Sequence, residues 1–516
     1  MSLKCYFANS LVELPDFDLQ SFEIEYAINA IPYAVVVFDV THSAANQKNL
    51  EATRSGVDVT LKLEGKAVFK GVVTRQQVSL RLQTLRITLT LRHWLFALTL
   101  GRESRVFGGP GSPPIMTDNL IVMQVLADRI GSFGLLEAVT VGLTADHVQL
   151  VQHDQSDWHF VRARVAANRA WCVPTVEGYR IEPPSVPVPG VVSAAGALVV
   201  NHLTFSSQGV RALDWRFADE GRDKVSTTAW SVAEQMMAPA PKMGSNLPFG
   251  LLSLNAYDLP MIADRGLSVS RSAPLRPLAQ QALADGMQMA RQLEAVQGTV
   301  TFDGSSAHLG YQLAKMATII GVGPRLDGTA PITSIRHVGD AKGWTTSVGV
   351  GLERPLSDVI TPHSNVATSH IGVVLNYPQP ADPNFQVAVK IPAIGPDPLW
   401  ARLASPLASM QSGLYLFPEV GDEVLLQFLD GDLSYPVIVG SLYSARKPVP
   451  AAYFPKTGAP VARGLRVLGQ GELVLDAEGV SLESPKKVSV VALDELLVKG
   501  TQKTTIVGQA VDFKQT

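Results

Sequence analysis

Hydrophobic and polar residues alternate over short runs along most of this chain. VDVTLKLEG (57–65), LRLQTLRITLTLRHWLF (80–96), VTVGL (139–143) and ALVVNHLTF (197–205) are examples. A period of two puts successive side chains on opposite faces, so each run predicts a half-buried strand, and the Gly, Asn, Asp and Pro clusters between them predict turns. Three stretches change to helical spacing. The first, near 118–131, follows a cap at Thr117 or Asp118. The second, near 157–171, is capped by Ser156 or Asp157 and carries Trp158, Val161, Val165 and Trp171. The third, near 278–296, is rich in Ala, Gln and Met and stops before Gly298, a plausible C′ residue. All three predict core-facing helices packed on a mainly β frame.

The pattern is densest in 371–443. IGVVLNY (371–377), FQVAVKIPA (385–393), LWARLAS (399–405), GDEVLLQFL (421–429) and YPVIVGSLY (435–443) each read as a strand. Pro436 falls near the start of the last, where a missing N–H is tolerable. Five short strands in this space suit an OB-type barrel, whose closure reduces exposed edges. Pro418-Glu419-Val420-Gly421-Asp422 predicts a tight connection with Gly421 at positive φ, and Asp430-Gly431-Asp432 a hairpin-type turn. Seams are expected at EPPSVPVPG (182–190), TPHSNVATSH (361–370) and RKPVPAAYFPKTGAP (446–460), whose composition suits extended connectors.

Beyond 463 the runs shorten to LRVLG, ELVLD, VSLES, KKVSVVAL, ELLVKG and TTIVG. Glycines stand eight apart at Gly471 and Gly479 and again at Gly500 and Gly508, with the two pairs out of phase. Such a ribbon has too little chain to bury its apolar side alone. Two readings satisfy it: a single-chain β-solenoid, or three copies wound about one axis with apolar residues inward and charges outward.

Composition narrows the function. The 516 residues suggest roughly three or four domains of about 100–200 residues. Only 17% are charged, which fits surfaces destined for permanent subunit contacts. A net charge of −3 argues against nucleic acid as a partner. Cys5 and Cys172 are the only cysteines, too few for a disulfide framework or thiolate metal cluster. The start lacks a signal-peptide core and no run reaches a membrane span, so cytoplasmic synthesis is expected. No GxSxG, GxxxxGK[ST], HExxH or CxxC occurs. His147, His153 and His159, with Asp154 and Asp157, have the residue types of a metal site. Their spacing of six does not align them on one helix face, and ordinary surface or interface histidines are expected instead.

FPEVGDEVLLQFLDGDLSYPVIVGSLY (417–443) resembles the barrel signature of the valine-glycine repeat (VgrG) spikes of type VI secretion and of contractile phage-tail spikes. The motif residues are Pro418, Glu419, Gly421, Asp422, Glu423, Gly431, Asp432, Tyr435, Pro436 and Gly440. Upstream, HDQSDWHFVRARVAANRAW (153–171), with Trp158 and Trp171, is similar to a family helix. GTVTFDG (298–304), GVGPRLDGTAPITSIRHV (321–338) and GWTTSVGVG (343–351), with Trp344, match hub segments in order. The resemblance implies a hub of two barrel-like halves over 1–365, an OB-fold barrel over 366–445, a connector over 446–463 and an intertwined trimeric β-helical needle over 464–516. It favours the wound trimer over the solenoid.

It further implies a homotrimer with a PAAR-type tip protein at the needle end and tube-initiating and baseplate proteins at the hub. Effector cargo and transient contact with a target membrane follow from the same likeness. So does assembly in the cytoplasm into a particle that fires. Residues 444–463 leave no room for the lysozyme domain of some phage spikes, so a non-enzymatic protein without cofactors is expected. The short form leans toward an extracellular particle. Competing readings are a glycan-binding tail protein and a hydrolase with a site outside known motifs.

Overall fold

A computed structural model describes residues 3–7, 17–41, 50–81, 84–133, 136–139, 142–184, 198–201, 209–217, 224–244, 266–320, 328–352, 369–378, 384–455 and 458–512. The expected seam at 182–190 and that at 361–370 lie largely outside these residues, as does 321–327 of the third hub segment. The chain divides into two compact units, Met1–Ser441 and Leu442–Thr516.

The first unit is built on one 12-stranded sheet. Alternation places its strands as expected: along Thr84–Arg92, Leu85, Ile87, Leu89 and Leu91 are buried while their neighbours are not. The order runs Leu3–Phe7, Asp58–Leu63, Lys66–Arg81, Thr84–Arg92, Tyr33–Thr41 and Phe17–Ala27, then Gly328–Gly339, Trp344–Val350, Val296–Asp303 and Val210–Phe217. The strands before residue 93 and those after residue 209 are therefore joined in one sheet, with Glu25 opposite Arg336 at the seam. The run at 80–96 is not one strand. Arg81 pairs with Thr84 across a hairpin, and Trp94–Thr99 is a 3-10 turn capped by His93, whose Nδ1 accepts from Leu95 N at 3.2 Å.

Three helices pack against this frame: α1 (Asp118–Phe133), α2 (Asp157–Ala167) and α3 (Pro277–Ala295). Ser156 Oγ accepts from His159 N at 3.3 Å and starts α2. The expected extent of α2 to 171 is corrected. It stops at Ala167, and Trp171 opens the strand Trp171–Pro174, because Arg169 at φ 57 turns the chain out of the helix. Gly286 lets α3 meet the end of α2, since a Cβ there would stand 2.7 Å from the carbonyl oxygens of Ala166 and Ala167. Gly298 is not the C′ residue of α3. The chain passes directly from Ala295 into Val296–Asp303, and Gly298 sits in that strand beneath the Trp215 ring, which leaves no room for a Cβ. Among the described residues no helix is long and apolar enough to cross a membrane.

The C-terminal part of this unit is a closed five-stranded barrel in the order His370–Asn376, Val387–Lys390, Pro398–Leu403, Pro436–Ser441, Glu423–Phe428. Its closing pair is parallel, Arg402 opposite Val437. Val374, Val387, Val389, Leu399, Ala401, Val424, Leu426 and Ile438 fill it completely buried. Such an interior is a core rather than a ligand cavity. The chain is mainly β, with few helices and an OB-type barrel.

In the second unit, Arg463–Val467, Gly471–Leu475 and Val480–Glu483 form a three-stranded antiparallel sheet. Tyr453 Oη donates to Glu472 Oε2 at 2.7 Å beside it. The strands expected in KKVSVVAL, ELLVKG and TTIVG do not form within one chain: residues 484–512 carry no helix or strand. An extended segment needs a neighbouring backbone to complete a ladder, and none pairs with this one among the described residues.

Candidate functional site

The barrel signature divides into two turns that face different tasks. In the first, Asp422 Oδ2 accepts from Glu419 N at 2.8 Å, and Asp422 N donates to Glu419 O at 2.9 Å. Gly421, at φ 83, donates to Val374 O at 2.8 Å, and Val374 N returns a bond to Asp422 O at 3.0 Å. Tyr377 Oη donates to Pro418 O, and its ring meets Phe417 edge-on. The Pro-Glu-x-Gly-Asp pattern is thus a clasp that holds its turn onto the first barrel strand, and Glu423 then opens the next strand opposite Val373. Val420 within the clasp and Met410 and Tyr415 in the segment before it are largely exposed, at 60%, 93% and 69%. That apolar surface is unusual on a solvated barrel.

The second turn faces the strand Gln149–Gln155 and the chain at Ala273. Asp430 and Gly431 take φ 52 and 72, Asp432 Oδ1 accepts from Ser434 N, and Tyr435 N donates to Asp432 O at 3.0 Å. Pro436 begins the last strand opposite Phe428. This folding brings Ser434 and Asp430 against hub backbone. Ser434 Oγ accepts from Val151 N at 3.1 Å, and Asp430 Oδ2 accepts from Ala273 N at 2.8 Å. Burial, then Asp432, pushes the Tyr435 hydroxyl well above its ordinary range.

The residue that joins the barrel to the rest of its unit most directly gave no signal in the sequence. Gln149, buried on the strand Gln149–Gln155, accepts from Trp400 N at 2.8 Å and donates to Trp400 O at 2.9 Å and Ser434 O at 2.7 Å. Its amide substitutes for a strand neighbour at the rim of the barrel. Val106 and Val151 pack on the barrel core beside it. Gly109, at φ 83, allows the same approach, since a Cβ would stand 2.9 Å from Pro398 O.

The three tryptophans are buried in cores and Gly440 lies on the barrel, so the structure does not bring them to one place. Trp158 packs in the α1–α2 core with Phe160, while Trp171 and Trp344 lie in the large sheet core. Trp344 lies over Gly304 and Gly339, and its ring meets His337 edge-on. Gly440 is exposed, and a Cβ there would meet nothing within 4 Å, so none of the described residues demands glycine at that position.

The three spaced histidines go to three environments. His147 Nε2 meets Asp118 Oδ1 at 2.9 Å in the interior. Burial pushes the Asp118 carboxyl up, but Arg164, His147 and the hydrogen bonds from His147 and Asn168 outweigh it and hold it below the usual carboxylate range. His153 meets Ser104 Oγ at 3.0 Å and the His370 ring edge-on across the hub–barrel contact. His159 is pushed down by burial and then by Arg162. Among the described residues no group of three or more His, Cys, Asp or Glu side chains is placed to hold a metal.

Residues 12–339 match the family model described as the Alg8 N-terminal domain, and residues 370–443 match that of the type VI secretion system/phage-baseplate injector OB domain. A curated relative, the type VI secretion system spike protein VgrG4b of Pseudomonas aeruginosa, is 45% identical over 51 residues, 10% of this chain and 6% of that protein. The spike protein VgrG3 of Vibrio cholerae is 38% identical over 72 residues, 14% of this chain and 7% of that protein. The aligned stretches thus span less than a tenth of either relative. Among solved structures, the Francisella PdpA–VgrG complex superposes at a TM-score of 0.57 with 8% identity, covering 91% of this chain and 76% of that one. The E. coli c3393 protein, a type VI secretion component similar to T4 tail proteins gp27 and gp5, superposes at 0.53 with 14% identity, covering 85% and 100%. These likenesses concern the fold.

Proposed function

Because the chain belongs to the family of the Alg8 N-terminal domain and is a VgrG-like phage-tail spike protein, we propose that it is the homotrimeric spike-hub of a contractile injection system. In this reading 1–365 is the hub beneath a tube, 366–445 the collar barrel, 446–463 a connector and 464–516 a needle that leads through the target envelope. The role is mechanical and non-enzymatic. A sheath supplies the work, and a stiff prism concentrates force on a narrow tip.

The observation that carries the proposal is the apolar residue content of the second unit that one chain leaves in water. Leu493, Val507, Val491 and Leu497 are 104%, 89%, 81% and 75% exposed. Side chains of this kind are each worth about 1.5–3 kcal/mol on burial, and a segment without internal ladders has no means of burying them alone. Three copies wound together bury them and pair the strand edges at once. A PAAR-type protein at the needle end, tube-initiating and baseplate proteins at the hub, effector cargo, and assembly in the cytoplasm belong to the same proposal.

Light scattering on the purified protein tests it. The expected mass is three times the 55.3 kDa of the chain, and a monomer at micromolar concentration sinks the reading. Turnover of peptidoglycan that disappeared with a single carboxylate substitution would overturn the non-enzymatic part alone.

A further inference from the structure

The seam between the hub halves carries a trench with the features of a binding site. Across five neighbouring strands, Ala27, Ser334, Gly349, Thr299 and Asp214 stand directly opposite one another. In a sheet such a row usually carries large side chains that pair across strands. Here small ones leave a floor that another backbone can approach, and a Cβ on Gly349 would collide with Ser334 Oγ. The resulting cavity measures about 500 Å³, and a second of about 350 Å³ shares Glu25, Ala27, Ala30 and Arg162 with it.

An independent observation points to a ligand. Asn29 is 4% exposed and lines the larger cavity, yet its Nδ2 has no hydrogen-bond partner among the described residues. The rest of that residue is tightly held: it sits at φ 54, its N donates to Cys172 O at 2.8 Å, and its Oδ1 accepts from Cys172 N at 2.9 Å. A fixed buried amide with an unused donor is costly unless something in the cavity accepts from it. The walls add Arg162, Arg216 and Arg336 in the larger cavity and Arg92 in the smaller, against Glu25 and Asp214. Arg336 is paired with Glu23 at 3.0 Å, whereas Arg216 and Arg92 have no carboxylate partner among the described residues.

We propose that this trench binds an extended acidic peptide segment of a partner protein. The guanidiniums of Arg216 and of Arg92, which lies 5.6 Å over the Tyr33 ring, take its carboxylates, and Asn29 Nδ2 takes one of its backbone carbonyls. Glu25 and Asp214 decide between peptide and polyphosphate. A peptide backbone brings N–H donors that those carboxylates accept, while a polyphosphate chain has no donor and is repelled. The proposal concerns the hub alone and stands or falls separately from the trimeric needle.

Fluorescence anisotropy tests it with the full-length protein and a fluorescein-labelled octapeptide of alternating Asp and Ser. Saturable binding is expected, about tenfold weaker in Arg216→Gln and weaker by a similar factor in Arg92→Gln, with unchanged melting of both variants. The matching Lys/Ser peptide should not bind. A benzophenone-bearing acidic peptide should crosslink within 297–301, 333–336 or 347–351. Absence of saturable binding, a Kd indifferent to both substitutions, or crosslinks confined elsewhere overturns the proposal. So does tighter, Arg216-dependent binding of inorganic polyphosphate, which would assign the trench to phosphate.

Discussion

Gln149 is where a single side chain carries most structural consequence. Its substitution by Ala would leave Trp400 N–H, Trp400 O and Ser434 O without the bonds that now satisfy them. Buried polar groups left unpaired cost more than the bonds themselves contribute, so Gln149→Ala should destabilise the hub–barrel contact by about 2–4 kcal/mol. Hydrogen exchange should report it as selective loss of protection in Pro398–Leu403, with the hub sheet unaffected. His337 makes a second residue-scale prediction. Burial, then His308, pushes its imidazole down to about 4, and it sits neutral against Thr346 Oγ1 at 3.0 Å. Between its ordinary value near 6.5 and about 4 the unfolded chain binds the proton and the folded chain does not. The associated stability is therefore complete above pH 6.5 and is lost as pH falls toward 4. From pH 7 to 5 this amounts to about 2 kcal/mol. Urea midpoints should fall over that interval, and His337→Gln should make the fall shallower. An equal slope in the variant would remove His337 from the account. His93, pushed down to about 4 by burial, adds a contribution of the same sign.

Among elements, the clasp at 418–423 and the last barrel strand make a contrast between two glycines of one sequence signature. Gly421 has φ 83 and bonds to the first strand, so Gly421→Ala should cost about 1–2 kcal/mol through the left-handed backbone alone. Gly440 is exposed on an ordinary strand, and Gly440→Ala should leave denaturant stability within about 0.5 kcal/mol of the parent. If Gly440→Ala nevertheless lowers the oligomer mass in light scattering, another chain passes close to that position. The five barrel strands were legible in the sequence because each alternates over its full length between turns with marked chemistry. The helices were legible at their starts, where Ser156 caps α2, but not at their ends. Arg169 carries no residue-type mark of a positive φ, and Gly298 looks like a stop signal while its true reason is the Trp215 ring.

At the scale of the molecule, the apolar residues beyond Glu483 set the prediction that separates a needle from a loose tail. Leu493→Asp together with Val491→Asp should reduce the light-scattering mass toward that of one chain or abolish the needle's resistance to protease, while the thermal melting of the hub remains. If the mass and resistance are untouched, those side chains do not form a shared interior. By itself the sequence determined the β class, the five-stranded barrel and the positions of its turns, because period-two burial and positive-φ turns are local properties written residue by residue. It also carried the likeness to spike proteins, concentrated in 417–443. Only the tertiary structure decided that early and late strands share one sheet through Glu25 and Arg336, that Gln149 fastens the barrel, and that Ala27, Ser334, Gly349, Thr299 and Asp214 line up across five strands. The pairs Glu25–Arg336 and Ala27–Ser334 and the bonds of Gln149 to Trp400 and Ser434 join residues more than a hundred positions apart. No local pattern of polarity records which strand will lie beside which, since pairing is chosen by the packing of the whole core.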